Sequence, residues 1–241
     1  MDVQGNHYRK VEEVNNKLDE IRKLSNQRRN DRLDGYLSVS DFYGGRYDTS
    51  DFVSPYTKSA CNLDADVMLI AQDWSSEQSL LSFGYSEELA LKGYSPQLPT
   101  NKRLQALLTN KLGIKFNQTY ATNLFVFIKH GSISAKIKNR DLLYSAQTYT
   151  LPEISIVRPK IVICLGSAVY KVLSKSILGT ERHLKTSVDY PFSYDNALIF
   201  GTYHPGGLGT AAAGGAEAVE LHWQKIHDFY ETSKQIPSIC K

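Results

Sequence analysis

Four apolar runs without polar alternation dominate this chain: Val67-Met68-Leu69-Ile70-Ala71, residues 120–127, residues 160–165 and residues 197–202. A strand half-exposed to water alternates polar and apolar residues, whereas one covered on both faces does not. Helical patterns alternate with the runs, over residues 101–112, over 140–157 (bent near Pro152), from Gly166-Ser167 onward and, after the last run, over 212–234. Buried strands alternating with helices predict an α/β fold, a three-layer α/β/α domain around a mostly parallel four-stranded sheet. A further amphipathic helix is expected over residues 7–29, its stripe formed by Val11, Val14, Leu18, Ile21 and Leu24. It leads into a connection rich in Gly, Ser, Asp and aromatics, so the expected division is 1–60 for this extension and 61–241 for the α/β domain.

The chain's 241 residues, 41% of them apolar and 22% charged, suffice for a substantial core. No apolar run approaches the roughly 18 residues of a membrane helix. The polar first thirty residues do not resemble a signal peptide, and a cytoplasmic protein is expected. The net charge of +3 permits a polyanionic partner without demanding one. Arg28, Arg29 and Arg32 either meet phosphate or form a solvated face. Cys61, Cys164 and Cys240 lie too far apart for a zinc knuckle or a four-cysteine cluster, so no metal site and no cofactor is expected. No G-x-G-x-x-G or P-loop motif follows any run, which disfavours a nucleotide-binding domain.

Chemistry collects at the ends of the runs. They deliver Gln72-Asp73, Asn123, Gly166-Ser167 and His204-Pro205-Gly206-Gly207-Leu208-Gly209. In a parallel sheet these ends share one edge, where open α/β folds bind ligands. Taken singly, each has a plain structural reading: a helix cap, a turn, a satisfied histidine, a packed loop leucine. Their convergence favours a site.

The set resembles the uracil-DNA glycosylase superfamily over about residues 66–234. That family carries Gly-Gln-Asp-Pro-Tyr-His after its first strand, and this chain has Ala71-Gln72-Asp73-Trp74-Ser75-Ser76. Pro96-Gln97-Leu98-Pro99-Thr100-Asn101 resembles a later family segment. Asn123 is similar to the family's base-reading asparagine, and Gly166-Ser167 to its phosphate-contacting loop. The segment from His204 to Gly209 is similar to the family's last motif, His-Pro-Ser-Pro-Leu-Ser.

The resemblance implies a monofunctional, metal-independent DNA glycosylase, with DNA as partner, no membrane association and a monomeric state. Asp73 would orient water and stabilise a cationic sugar, and His204 would stabilise the departing base. Gln72, Asn123, Ser75 and Phe83 would line the base pocket. Gly166, Ser167, Pro205, Gly206, Gly207 and Leu208 would contact DNA, with Leu208 filling the space of a flipped nucleotide on a flexible glycine loop. Phe83 is read equally well as a core residue. No lysine stands out as placed to form a Schiff base, so abasic-site lyase activity is not expected.

The departures carry information. Ser75 stands where the best-known branch has a tyrosine that blocks the C5 side of the pocket, which implies room for a C5-modified pyrimidine. Asn123 leaves uracil and cytosine undecided, because rotating its amide exchanges donor and acceptor. A glycosylase acting on modified cytosine in viral DNA, as an antiviral defence, is therefore a second expectation. A catalytically silent DNA-binding member is a third.

Overall fold

A computed structural model of the chain describes residues 3–235. The four expected strands form at β2 (Val67–Asp73), β3 (Tyr120–Phe125), β5 (Ile161–Leu165) and β7 (Ala197–Thr202). Two short strands, β1 (Tyr36–Leu37) and β4 (Ile128–Lys129), pair antiparallel as a separate ribbon. The central sheet has five strands rather than four, because β6 (Phe192–Tyr194) adds an antiparallel edge to β7. Its order is β3-β2-β5-β7-β6. A two-residue turn makes the addition: Asp195 and Asn196 both take positive φ, 50° and 69°, the conformation that matches strand twist in tight hairpins. Three residues are too few to show a period, so this strand left little trace in the apolar pattern.

Helices cover both sheet faces. On one side lie α1 (Val3–Asn30), the bent α5–α6 unit (Asn139–Ser145 and Leu151–Val157) and α7 (Ser167–Leu178), contributing Ile21, Tyr149, Ile154, Tyr170 and Leu173 to the core. On the other, α4 (Pro99–Leu107) and α9 (Ala216–Gln235) bury Leu104, Trp223 and Ile226 against Leu69, Ile163 and Phe200. Two short helices, α2 (Glu77–Ser82) and α3 (Glu87–Lys92), follow β2.

Two expectations change. The glycine segment after His204 is helical from Gly207: α8 (Gly207–Ala213) precedes α9, with Gly214 and Gly215 between them. Arg28 neither meets solvent nor stands free for phosphate. It is 1% exposed and pairs with Asp48 at 2.6 Å while donating to the Thr49 carbonyl at 2.9 Å. With Ser25 Oγ reaching the Phe52 carbonyl at 2.8 Å, it clamps α1 to the connection that follows it. Cys164 is buried and Cys61 exposed, and Cys240 lies outside the described residues.

Candidate active site

Strand register places the first two groups. Ala71 faces Asn123 across β2 and β3, and Asp73 faces Phe125. Residues two apart on a strand point to the same side, so Asp73 and Asn123 share one face of the sheet at its C-terminal edge. Gln72 Nε2 donates to Asp73 Oδ1 at 3.0 Å. Beyond them Trp74 turns into the wall, its indole N–H bonded to the Gly93 carbonyl at 2.7 Å and its ring edge-on to Tyr47. Ser76 caps α2, leaving Ser75 half-buried between the two anchors.

The second pair of strand ends comes together at Gly166. Its φ of 115°, open to glycine at little cost, turns the chain from β5 into α7 while its N–H bonds the Thr202 carbonyl at 2.8 Å. A Cβ built on Gly166 would stand 3.7 Å from the Cβ of His204, so the two loops lie side by side. Ser167 is exposed as the first residue of α7.

The His204 loop is shaped by close approach. A Cβ at Gly209 would lie 2.1 Å from the His204 carbonyl oxygen, so only glycine lets the first turn of α8 fold back on the histidine. Pro205 and Gly206 are buried, Gly207 is exposed, and Leu208 is 91% exposed in the first turn of α8. Arg103 on α4 reaches the Pro205 carbonyl at 3.5 Å, and Thr100 borders Gly206, so the 96–101 segment meets the 204–209 segment.

His204 has a defined proton. The Gly206 N–H donates to Nδ1 at 3.1 Å, which leaves Nε2 to carry the hydrogen of the neutral ring. The residue is exposed at the sheet edge, yet the protein packed around its ring desolvates it and holds its pKa below the ordinary value. The Asp73 charge opposes this shift, a second sign that carboxylate and imidazole address one space.

Two neighbours were not anticipated. Lys129 Nζ stands 2.8 Å from Asp73 Oδ2, at an angle outside hydrogen-bond geometry, so the attraction is Coulombic. Both side chains are nearly buried, at 4% and 8% exposure, and Nζ also donates to the Ile133 carbonyl. A lysine that the sequence did not single out therefore reaches the site, and its ammonium is engaged. Its only sequence signal is a charge ending an apolar stretch 56 residues after Asp73. The other neighbour is Ser54, whose hydroxyl donates to Asn123 Oδ1 at 2.6 Å. Phe83 caps α2 at 87% exposure, packed neither into the core nor against these groups. Among the described residues no cluster of His, Cys, Asp and Glu is placed to hold a metal, and no helix is long and apolar enough to cross a membrane.

The arrangement offers a carboxylate held on both oxygens, a neutral N–H donor across from it and an amide on the adjoining strand. A search of curated proteins finds no match to the chain. The model of the uracil DNA glycosylase superfamily matches residues 59–227, which takes in every strand of the central sheet and all four of these strand ends. The chain belongs to the uracil DNA glycosylase superfamily.

Proposed function

We propose that this protein is a monofunctional DNA glycosylase that hydrolyses the N-glycosidic bond of a flipped-out pyrimidine and leaves an abasic site. The observation that carries the reading is the fixed tautomer of His204 opposite Asp73. As the bond from C1′ to the base breaks, its electron pair passes to the base and the sugar becomes cationic. Negative charge then develops on the base oxygen, where an Nε2–H donor already in place stabilises it without reorganisation. A neutral donor suits this task, since it need not transfer its proton. Asp73 faces the cationic sugar, orients water towards C1′ and accepts the proton that water loses on attack. Asn123 reads the edge of the base, and Gly166 and Ser167 meet phosphate beside it.

Leu208 projects as a wedge. Its exposure in the first turn of a helix suits insertion into a duplex, because the helix limits how far the side chain can retreat. Phe83 stands free to stack on a flipped base or its neighbour.

The substrate we infer is a C5-modified pyrimidine. Trp74, the bulky residue beside Asp73, is committed to Gly93 and Tyr47, and Ser75 adds only a hydroxymethyl group. A defence role against DNA that carries modified cytosine fits the same opening. Monofunctional action rests on Lys129 being occupied by Asp73 and Ile133 rather than free to attack the sugar.

The test is a panel of duplexes containing uracil, 5-hydroxymethyluracil or 5-hydroxymethylcytosine, each treated with alkali to cut at abasic sites. Excision of at least one modified base is expected. Asp73→Ala and His204→Ala should each lose it while melting as folded proteins. Full product from both variants would remove these residues from the chemistry, and excision of uracil alone would refute the open C5 side.

A further inference from the structure

We infer that Ser54 determines which base this site accepts, by locking the side-chain amide of Asn123 in one of its two orientations. The inference rests on the glycosylase reading above and concerns a residue outside the segment that matches the family, 59–227.

The lock follows from counting hydrogen bonds. Ser54 and Asn123 are each 1% exposed, so the Ser54 hydroxyl and the Asn123 atom that faces it have no water to turn to. Ser54 caps the short helix Pro55–Ser59, and its oxygen accepts from the Tyr56 N–H at 3.1 Å. Its hydroxyl hydrogen is then left to donate, and it does so to Asn123 Oδ1 at 2.6 Å. With the amide reversed, Nδ2 would donate to an oxygen already accepting, and the hydroxyl hydrogen would have no acceptor in a buried place. The oxygen of Asn123 therefore faces Ser54. The backbone holds this in register, because Thr57 Oγ1 bonds the Ala121 carbonyl at 2.7 Å and the Ala121 N–H bonds the Ala60 carbonyl at 2.9 Å.

A fixed amide matters because the two pyrimidine edges are inverse. Uracil presents a donor at N3 and an acceptor at C4, and cytosine presents an acceptor at N3 and a donor at C4. A freely rotating asparagine serves either. One held by Ser54 serves one order and meets the other with two mismatches, each leaving a buried group unpaired. Ser54 is thus a positioning residue. It touches no substrate and acts through Asn123.

Binding tests this without turnover. Single strands carrying one 2′-fluoro-2′-deoxyuridine or 2′-fluoro-2′-deoxycytidine, each with and without a 5-hydroxymethyl group, resist hydrolysis and have no base pair to break. The wild type should prefer one base class by about 100-fold, and Ser54→Ala should shrink that ratio below about 10-fold. Ser54→Thr, which keeps the hydroxyl, should restore it. A merely structural serine would alter melting and overall affinity but not the ratio, so an unchanged ratio in a folded Ser54→Ala protein overturns the proposal. If the wild type binds both probes equally, yet more tightly than an ordinary strand, the lock is refuted and the glycosylase reading stands. If neither probe binds better than an ordinary strand, both fail.

Discussion

Replacing Lys129 with methionine keeps an unbranched side chain, one atom shorter, and removes the charge that faces Asp73. The carboxylate would then lie at 8% exposure with Gln72 as its remaining side-chain partner. Stripping one member from a buried ion pair costs about 3–5 kcal/mol, because the remaining charge has lost both water and counter-ion. For a chain of this size each kcal/mol moves the melting temperature by about 2–4 °C, so Lys129→Met should melt about 6–20 °C below the wild type. The double variant Asp73→Asn, Lys129→Met buries no unpaired charge and should recover much of that loss, giving a large coupling energy between the sites. Activity should fall as well. Lys129 holds Oδ2 while Gln72 holds Oδ1, and a carboxylate that swings by about 1 Å from its working position loses on the order of 100-fold in rate. Thermal unfolding and single-turnover excision measure the two effects separately. Lys129→Arg, which restores the charge, should regain more stability than rate, because a planar guanidinium presents its donors differently. A Lys129→Met protein that melts within a degree of the wild type and excises at its rate would refute the reasoning. Borohydride trapping of wild-type protein, but not this variant, on abasic DNA would make Lys129 a nucleophile instead.

Two further outcomes follow from the geometry. Leu208→Ala should slow excision from duplexes far more than from single strands, since only a duplex leaves a gap to fill; equal losses on both would count against the wedge. Glu153, fully buried beneath the Tyr120 and Thr122 hydroxyls, has its pKa pushed up to about 8 by burial, with those two hydrogen bonds pulling the other way. The folded protein therefore retains a proton that the unfolded chain has released, and this residue's stabilising contribution, complete below about pH 4.5, is lost as the pH rises towards about 8. Glu153→Gln should gain stability relative to the wild type across that window, and a constant difference in melting temperature from pH 5 to 8 would refute the assignment.

The layers of the fold and the backbone of the site were legible in the order of residues, and for one physical reason. A strand covered on both faces must be apolar throughout, so β2, β3, β5 and β7 announce themselves within a few residues, and the polar or glycine positions in or just past their C-terminal halves, Asn123 within β3 included, mark the edge where they meet. Asp73, Asn123, Gly166 and His204 follow from that local rule. What escaped it depends on pairing between distant segments. Lys129 becomes the partner of Asp73 only because the chain beyond β3 returns as β4 to pair with Tyr36–Leu37 and bridge to Ser76. Ser54 reaches Asn123 only because its connection is stitched along β3 while α1 is clamped to the same connection through Arg28. The glycines after His204 read as a mobile loop, whereas contact of Gly209 with the histidine carbonyl lets them start a helix. Apolar burial has a short period and is written locally. The partner of a buried charge or amide is chosen by closure of the whole chain, and so it becomes visible only in the folded structure.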